Sequence, residues 1–220
     1  MIDSLDQNVG KVLTALDRLD LADDTLVVFL SDNGGHEASR NLPLRGKKAT
    51  YWEGGLRVPF CLKWPARLKS GGTYRKPVIS LDLLPTFVRA AGGEIEPDWK
   101  LDGVDLMPYL TGGQKGFPHA ELYWIWGPRK ALRAGNLKAL SQDDGKTWQL
   151  YDLAKDKSEK NDLSSKRGKK LDSIKERFLR WEKSLMPQQW GWNPKLGYKD
   201  PEFGKPRPYH KPGYFEEDKP

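Results

Sequence analysis

The chain has a single cysteine, Cys61, among 220 residues. One cysteine excludes an internal disulfide and leaves stability to packing and polar contacts. No apolar run approaches the roughly 20 residues that a membrane-crossing helix needs, so no membrane partner is expected. The first residues, Met1-Ile2-Asp3-Ser4-Leu5-Asp6, are acidic and amphipathic rather than basic and then apolar. That order is not a secretory signal. No long internal repeat is present. No recognisable nucleic-acid module accompanies the lysines and arginines, so no nucleic-acid partner is expected either.

Hydrophobic residues make up 37% and charged residues 30% of the chain, a globular but polar balance. The net charge of +7 is uneven. Residues 1–110 hold 14 Lys and Arg against 15 Asp and Glu, or −1, whereas residues 111–220 hold 23 against 15, or +8. The whole excess lies in the second half. It reads either as a solvated lysine-rich surface or as a face for anionic polymers such as sulfated glycans.

The chain is organised around Leu26-Val27-Val28-Phe29-Leu30-Ser31-Asp32-Asn33-Gly34-Gly35. A short apolar run closed by turn residues predicts a strand buried on both faces, as in a parallel sheet. Ligands of open α/β sheets bind beyond the carboxyl ends of the strands. That end carries Asp32 and Asn33, hard oxygen donors of the kind Ca²⁺ or Mg²⁺ takes. The alternative is that Asp-Asn-Gly-Gly is simply a favourable turn.

Before that strand, Leu5, Val9, Val12, Leu13, Leu16 and Leu19 predict an amphipathic helix over 3–20, capped by Asp3 or Ser4. After it, a glycine-broken loop carries Arg45, Lys47, Lys48 and Arg57. Arg57 to Trp64 reads as a strand that holds Cys61 as a small buried hydrophobe. Val78 to Leu81 is a short extended piece, and Leu83 to Ala91 a helix capped by Asp82 and stopped by Gly92-Gly93. From about residue 119 the pattern changes. Tyr123–Trp126, Arg129–Arg133, Leu137–Leu140 and Trp148–Leu153 predict an antiparallel sheet. Leu171, Ile174, Phe178, Trp181 and Leu185 then form one helical seam to pack on it. Residues 187–220 hold seven of the sixteen prolines among many aromatics, and read as an irregular extended tail.

Ser31-Asp32-Asn33-Gly34-Gly35 followed by Leu44-Arg45-Gly46-Lys47-Lys48-Ala49-Thr50-Tyr51-Trp52-Glu53-Gly54-Gly55 resembles the second half of a sulfatase of the alkaline-phosphatase-like superfamily, arylsulfatase type. The resemblance continues in order through Trp64-Pro65, Ser80-Leu81-Asp82-Leu83-Leu84-Pro85-Thr86, Leu101-Asp102-Gly103-Val104 and Leu150-Tyr151-Asp152-Leu153. It covers roughly residues 1–186. Each motif alone is weak, and the ordered set is specific.

The resemblance implies an α/β fold: a partial parallel-type sheet flanked by helices over 1–118, a small antiparallel α+β subdomain over 119–186, and the tail over 187–220. It implies hydrolysis of a sulfate ester on a carbohydrate or aryl group, with Asp32 and Asn33 as metal ligands and Ca²⁺ as the ion, Mg²⁺ being possible. Lys48 takes the place of the family's lysine that contacts the sulfate and the leaving oxygen. An ammonium aimed at developing negative charge in a water-poor site is worth on the order of 10²–10³ in rate; the alternative for Lys48 is a solvated loop lysine. Arg45 and Arg57 either add to the positive field or pair with Glu37 or Glu53. His36 reads as rim, and His119 and His210 have no partner pattern.

The family's nucleophile is a formylglycine made from Cys or Ser in Cys-x-Pro/Ala-x-Arg. Around Cys61 the corresponding places hold Lys63 and Pro65. The family's amino-terminal Asp-Asp metal pair is not found either. The resemblance therefore implies the carboxy-terminal portion of such an enzyme, inactive by itself, and by family habit periplasmic, secreted or lysosomal. Two other classes remain open: a phosphodiesterase or phosphonate hydrolase of the same superfamily, and a non-enzymatic module for sulfated glycans.

Overall fold

The computed structural model describes residues 1–36 and 38–186, together with the backbone of a short strand pair at Trp192–Asn193 and Gly197–Tyr198. The rest of the predicted tail lies outside the described residues. The chain divides into two compact units. The first is Met1–Asp32 with Val58–Ala120, and the second is Asn33–Arg57 with Glu121–Pro220. The loop after the first strand thus groups with the later antiparallel sheet.

The first unit begins with helix α1, Ile2–Arg18. Asp3 in its first turn and Arg18 in its last complement the helix dipole. The expected cap differs: Met1 is the N-cap without a side-chain bond, and Asp3 instead accepts from Gln7 within the helix. None of its residues is buried, and Leu5 and Val12 stay exposed. Strand β1, Val27–Leu30, pairs antiparallel with β2, Phe60–Lys63. Among the described residues the expected parallel sheet and two-sided burial are not present. β1 has one hydrogen-bonded neighbour, and Phe29 remains exposed. Cys61 lies opposite Phe29 in the register, so it too is exposed rather than the expected small buried hydrophobe.

The predicted extended piece at 78–81 is instead a 3₁₀ turn, Ser80–Asp82, leading directly into helix α3, Leu83–Ala90. (Helix α2, Glu53–Leu56, belongs to the second unit.) Asp82 is fully buried but does not cap α3 through its side chain. Its carboxylate accepts from the Ile79 and Val104 amides at 2.9 and 3.0 Å and meets His119 Nε2 at 2.7 Å. One buried carboxylate therefore fastens three separated segments. Thr86 adds a second tie, donating to the Asp82 carbonyl and accepting from the Leu106 amide. Gly103 is required here, because a Cβ would lie 2.0 Å from the Leu81 carbonyl oxygen. Helix α4, Met107–Leu110, follows.

The second unit holds the short helix α2, Glu53–Leu56, and the sheet β3 (Glu121–Trp126), β4 (Arg129–Ala134), β5 (Leu137–Ser141) and β6 (Gln149–Asp152). The order is a simple antiparallel meander, as expected. Gly135 at φ 59° makes the two-residue turn between β4 and β5, and Asp144 and Gly145 take positive φ in the next loop. Such turns match the twist of hairpin strands. Helix α5, Gly168–Ser184, lays Leu171, Ile174 and Phe178 against Leu132, Ala139, Trp148 and Leu150. Tyr123 stacks on Trp181 at 4.6 Å, and Phe178 meets Trp148 edge-on at 5.4 Å. Lys130 pairs with Glu182, and Arg177 with Glu121, pinning α5 to the sheet.

Replacing Asp82 by Ala leaves two buried amides and His119 without their acceptor. The substitution is expected to cost about 3–5 kcal/mol of stability, read as a shift in the urea unfolding midpoint.

Candidate functional site

Asp32 is the last residue of the first unit, immediately after β1, and its side chain is exposed. Asn33 is the first residue of the second unit and is partly buried. The two proposed donors are therefore consecutive at a strand's carboxyl end. Among the described residues, no cluster of three or more His, Cys, Asp or Glu side chains forms a metal-holding group.

Beyond Asn33 the chain turns back on α2 through backbone-to-backbone contact. The Gly34 amide donates to the Gly55 carbonyl at 3.1 Å. A Cβ at Gly34 would lie 1.9 Å from the Gly54 oxygen. At Gly54 it would lie 2.3 Å from the Gly46 oxygen, and at Gly55 2.2 Å from the Thr50 oxygen. Each of these distances is far inside van der Waals contact, so the absent side chain is what allows the approach.

Lys48 rides on this platform. Its amide donates to the Gly35 carbonyl at 3.0 Å, two residues beyond Asn33, while its side chain is exposed. The loop is tied at several further points. The Asn41 amide group donates to the Gly35 and Gly46 carbonyls, and its oxygen accepts from the Gly35 amide. Thr50 closes a turn on Lys47, Arg129 donates to the Ala49 carbonyl, and the Gly54 amide donates to the Arg45 carbonyl. The structure thus brings the Lys48 backbone to the glycine pair that follows Asn33. His36 lies exposed at the start of the same loop.

Arg45 and Arg57 both have internal partners. The Arg45 guanidinium sits over the Trp52 ring at 3.7 Å and donates to the Glu159 carbonyl. Arg57 pairs with Glu53 at 3.8 Å. Trp52 in turn meets Tyr151 edge-on at 5.6 Å, within a small core with Ala131, Leu140 and Leu153. Burial pushes the Tyr151 phenol up to about 12, which keeps it neutral at ordinary pH.

Beneath α2 lies a buried charge triad. Lys138 on β5 is fully buried; its Nζ donates to Glu53 Oε1 at 3.0 Å and lies 2.8 Å from Glu159 Oε1. Glu159 Oε2 accepts the Glu53 amide at 2.6 Å. Glu159 has φ 53°, a left-handed conformation rare outside glycine, and its side chain is fully buried. Burial pushes the Glu159 carboxyl up, against the pull of the Lys138 ammonium.

Sequence reasoning missed Lys138, Glu159 and Asn41. Lys138 and Glu53 stand 85 positions apart, so no local pattern pairs them. The only trace is a lysine within the apolar run Leu137-Lys138-Ala139-Leu140. His119, to which no pattern gave a role, holds the buried Asp82 in the first unit.

The family model "Sulfatase" matches residues 1–93. Steryl-sulfatase of Mus musculus is 40% identical over 132 residues, which is 56% of this chain and 21% of that protein. The crystal structure of Ps i-CgsB in complex with k-i-k-neocarrahexaose matches with a TM-score of 0.75 and 33% identity, over 82% of this chain and 41% of that one. The phosphonate monoester hydrolase of Agrobacterium radiobacter matches with a TM-score of 0.65 at 22% identity, over 91% of this chain and 44% of that one, a likeness of fold alone. The chain thus spans less than half the length of each of these proteins.

A Gly34→Ala substitution must push its Cβ against the Gly54 carbonyl. It is expected to cost about 2–4 kcal/mol and to expose Trp52, read as a red shift of tryptophan fluorescence before the global transition.

Proposed function

We propose, for a chain that belongs to the sulfatase family of the alkaline-phosphatase-like superfamily, that it forms the sulfate-holding part of a sulfuric ester hydrolase acting on a carbohydrate or aryl sulfate. The observation that carries this reading is the placement of Lys48. Its backbone amide is fixed to the Gly35 carbonyl, two residues after Asn33, while the residue is exposed to solvent. A cation on a tethered backbone needs little rearrangement when charge develops on a sulfate oxygen.

Asp32 and Asn33 fit a hard divalent cation in kind, since both offer oxygen, and Ca²⁺ is the ion proposed, with Mg²⁺ as the alternative. They supply two of the six to eight oxygens Ca²⁺ takes. Bound there, the ion would add positive charge beside the ester. Asp32 would hold it with a full negative charge and Asn33 with a neutral carbonyl dipole. Lys48 would bind a sulfate oxygen and stabilise the departing alkoxide or phenoxide, donating a proton or a charged hydrogen bond to it. The glycine platform and Asn41 keep the backbone that carries that ammonium in register.

This chain's residues do not complete the reaction. Cys61 stands in Cys-Leu-Lys-Trp-Pro rather than in Cys-x-Pro/Ala-x-Arg. Its partner in the β1–β2 register is Phe29, which offers no base. The chain as it stands is therefore expected to lack turnover. An exported location, whether periplasmic, secreted or lysosomal, belongs to the same proposal.

Calorimetry of the purified chain is the test. Ca²⁺ should bind weakly, with Kd about millimolar, and the binding should disappear with Asp32→Ala. An aryl sulfate should bind weakly and lose roughly 10-fold or more in affinity with Lys48→Ala, the worth of one charged hydrogen bond. Aryl sulfate binding unchanged by Lys48→Ala overturns the role of that residue. Turnover of the aryl sulfate by the pure chain overturns the reading of an incomplete site.

A further inference from the structure

Between β6 and α5 the chain concentrates exposed cations while its carboxylates are used internally. Lys157, Lys160, Lys166, Arg167, Lys169 and Lys170 are all exposed. None of these six side chains makes an ion pair or a hydrogen bond among the described residues, whereas the acids interleaved with them are engaged. Glu159 is buried against Lys138, and Asp162 accepts the Leu150 and Ser164 amides. The just-preceding Asp156 accepts the Asn161 amide. Asp162 remains exposed beside them, so the segment presents six cations against one exposed carboxylate to solvent.

The backbone that carries these cations is fastened to the sheet and to itself. The Leu163 amide donates to the Leu150 carbonyl of β6 at 2.8 Å, and the Lys166 and Arg167 amides both return to the Leu163 carbonyl. The positive φ of Glu159 reverses the chain locally. Three of the cations, Arg167, Lys169 and Lys170, fall where α5 begins, and its first turn contains no acidic residue. The dipole there is also positive, so the helix does not relieve their mutual repulsion.

We infer that this basic ridge, residues 157–170, is a binding surface for a sulfated polysaccharide, separate from the Lys48 loop. The surface holds an anionic chain through several weak, salt-sensitive contacts, as expected for spaced point charges on a fixed backbone. Residues 157–170 contain no aromatic side chain, and so offer no platform for stacking bases, which argues against a single-stranded nucleic acid. The choice of sulfate esters over other polyanions rests on the function proposed above; the ridge itself does not.

The test uses the full chain with heparin as probe, and chemically desulfated heparin and duplex DNA as competitors. A variant carrying Lys157→Gln, Lys160→Gln, Lys166→Gln and Lys169→Gln is compared with one carrying Lys11→Gln, Lys63→Gln, Lys69→Gln and Lys115→Gln. The second set removes the same charge from exposed sites of the first unit. Circular dichroism checks that both fold. The ridge variant should bind heparin at least 10-fold more weakly at 0.15 M salt, with a flatter dependence on salt, by roughly three units of log–log slope. The control variant should change less than 3-fold, and desulfated heparin should fail to compete. Equal weakening in both variants means that net charge alone acts, and overturns the inference, as does unchanged binding in the ridge variant. Duplex DNA binding as tightly as heparin at the same salt overturns the choice of partner. Lys48→Ala removes one sulfate contact and should weaken heparin binding far less than the ridge variant does. If it abolishes that binding, the ridge fails while the Lys48 reading stands; if it weakens only aryl sulfate binding, the two surfaces are distinct.

Discussion

The second unit depends on one buried cation. Lys138 is withdrawn completely from water and is held by Glu53 and Glu159, two carboxylates that would repel each other without it. Desolvating three charges is costly, and such triads add little net stability over an apolar core. Their effect is on geometry. Glu53 opens α2, so the position of Lys138 on β5 fixes where that helix starts. Glu159 closes the arrangement by accepting the Glu53 amide. A helix of four residues has almost no intrinsic stability, so the ion triad supplies the anchoring that the helix lacks.

From that anchor the geometry propagates through glycine rather than through side chains. Gly54 and Gly55 are buried on α2, and Gly34, Arg45, Gly46, Lys47 and Thr50 pack directly on their backbone. Direct backbone approach tolerates no added atoms and few alternative positions. The Lys48 ammonium, by contrast, stands in solvent. A fixed backbone beneath a free charged tip suits a group that must meet an anion without rearranging the chain. In the first unit Asp82 plays the corresponding part, and Asp32 stands at the end of β1 in that unit.

Much of this was legible in the sequence, for local reasons. The strands of the meander and the seam of α5 follow two- and 3.6-residue periods, and glycine and Asp-Asp-Gly mark the turns between them. The strand before Asp32 was also legible as a short apolar run, which places Asp32 and Asn33 at its carboxyl end. Its pairing was not. The composition of Val27–Leu30 suits two-sided burial, but β2 covers one edge only and in the antiparallel sense. The exposure of Cys61 follows from that pairing, not from its apolar neighbours. The Lys138 triad, the Asn41 clamp and the Asp82–His119 pair were illegible because each joins distant segments or uses a residue type that ordinarily lies in solvent. A lysine flanked by Leu137 and Ala139 reads as a strand's outward-facing position until its partners are located.

The most direct test of this account is amide hydrogen exchange in the Lys138→Met variant, which replaces the buried ammonium by an apolar side chain of similar length. If the triad seats the loop, protection at the Glu53, Gly54 and Lys48 amides should fall at least roughly 10-fold, equivalent to about 1.4 kcal/mol of local opening, while the central amides of β4 keep theirs. If the loop amides keep their protection, or if protection falls by the same factor throughout the sheet, then Lys138 does not position the Lys48 loop and the account is wrong.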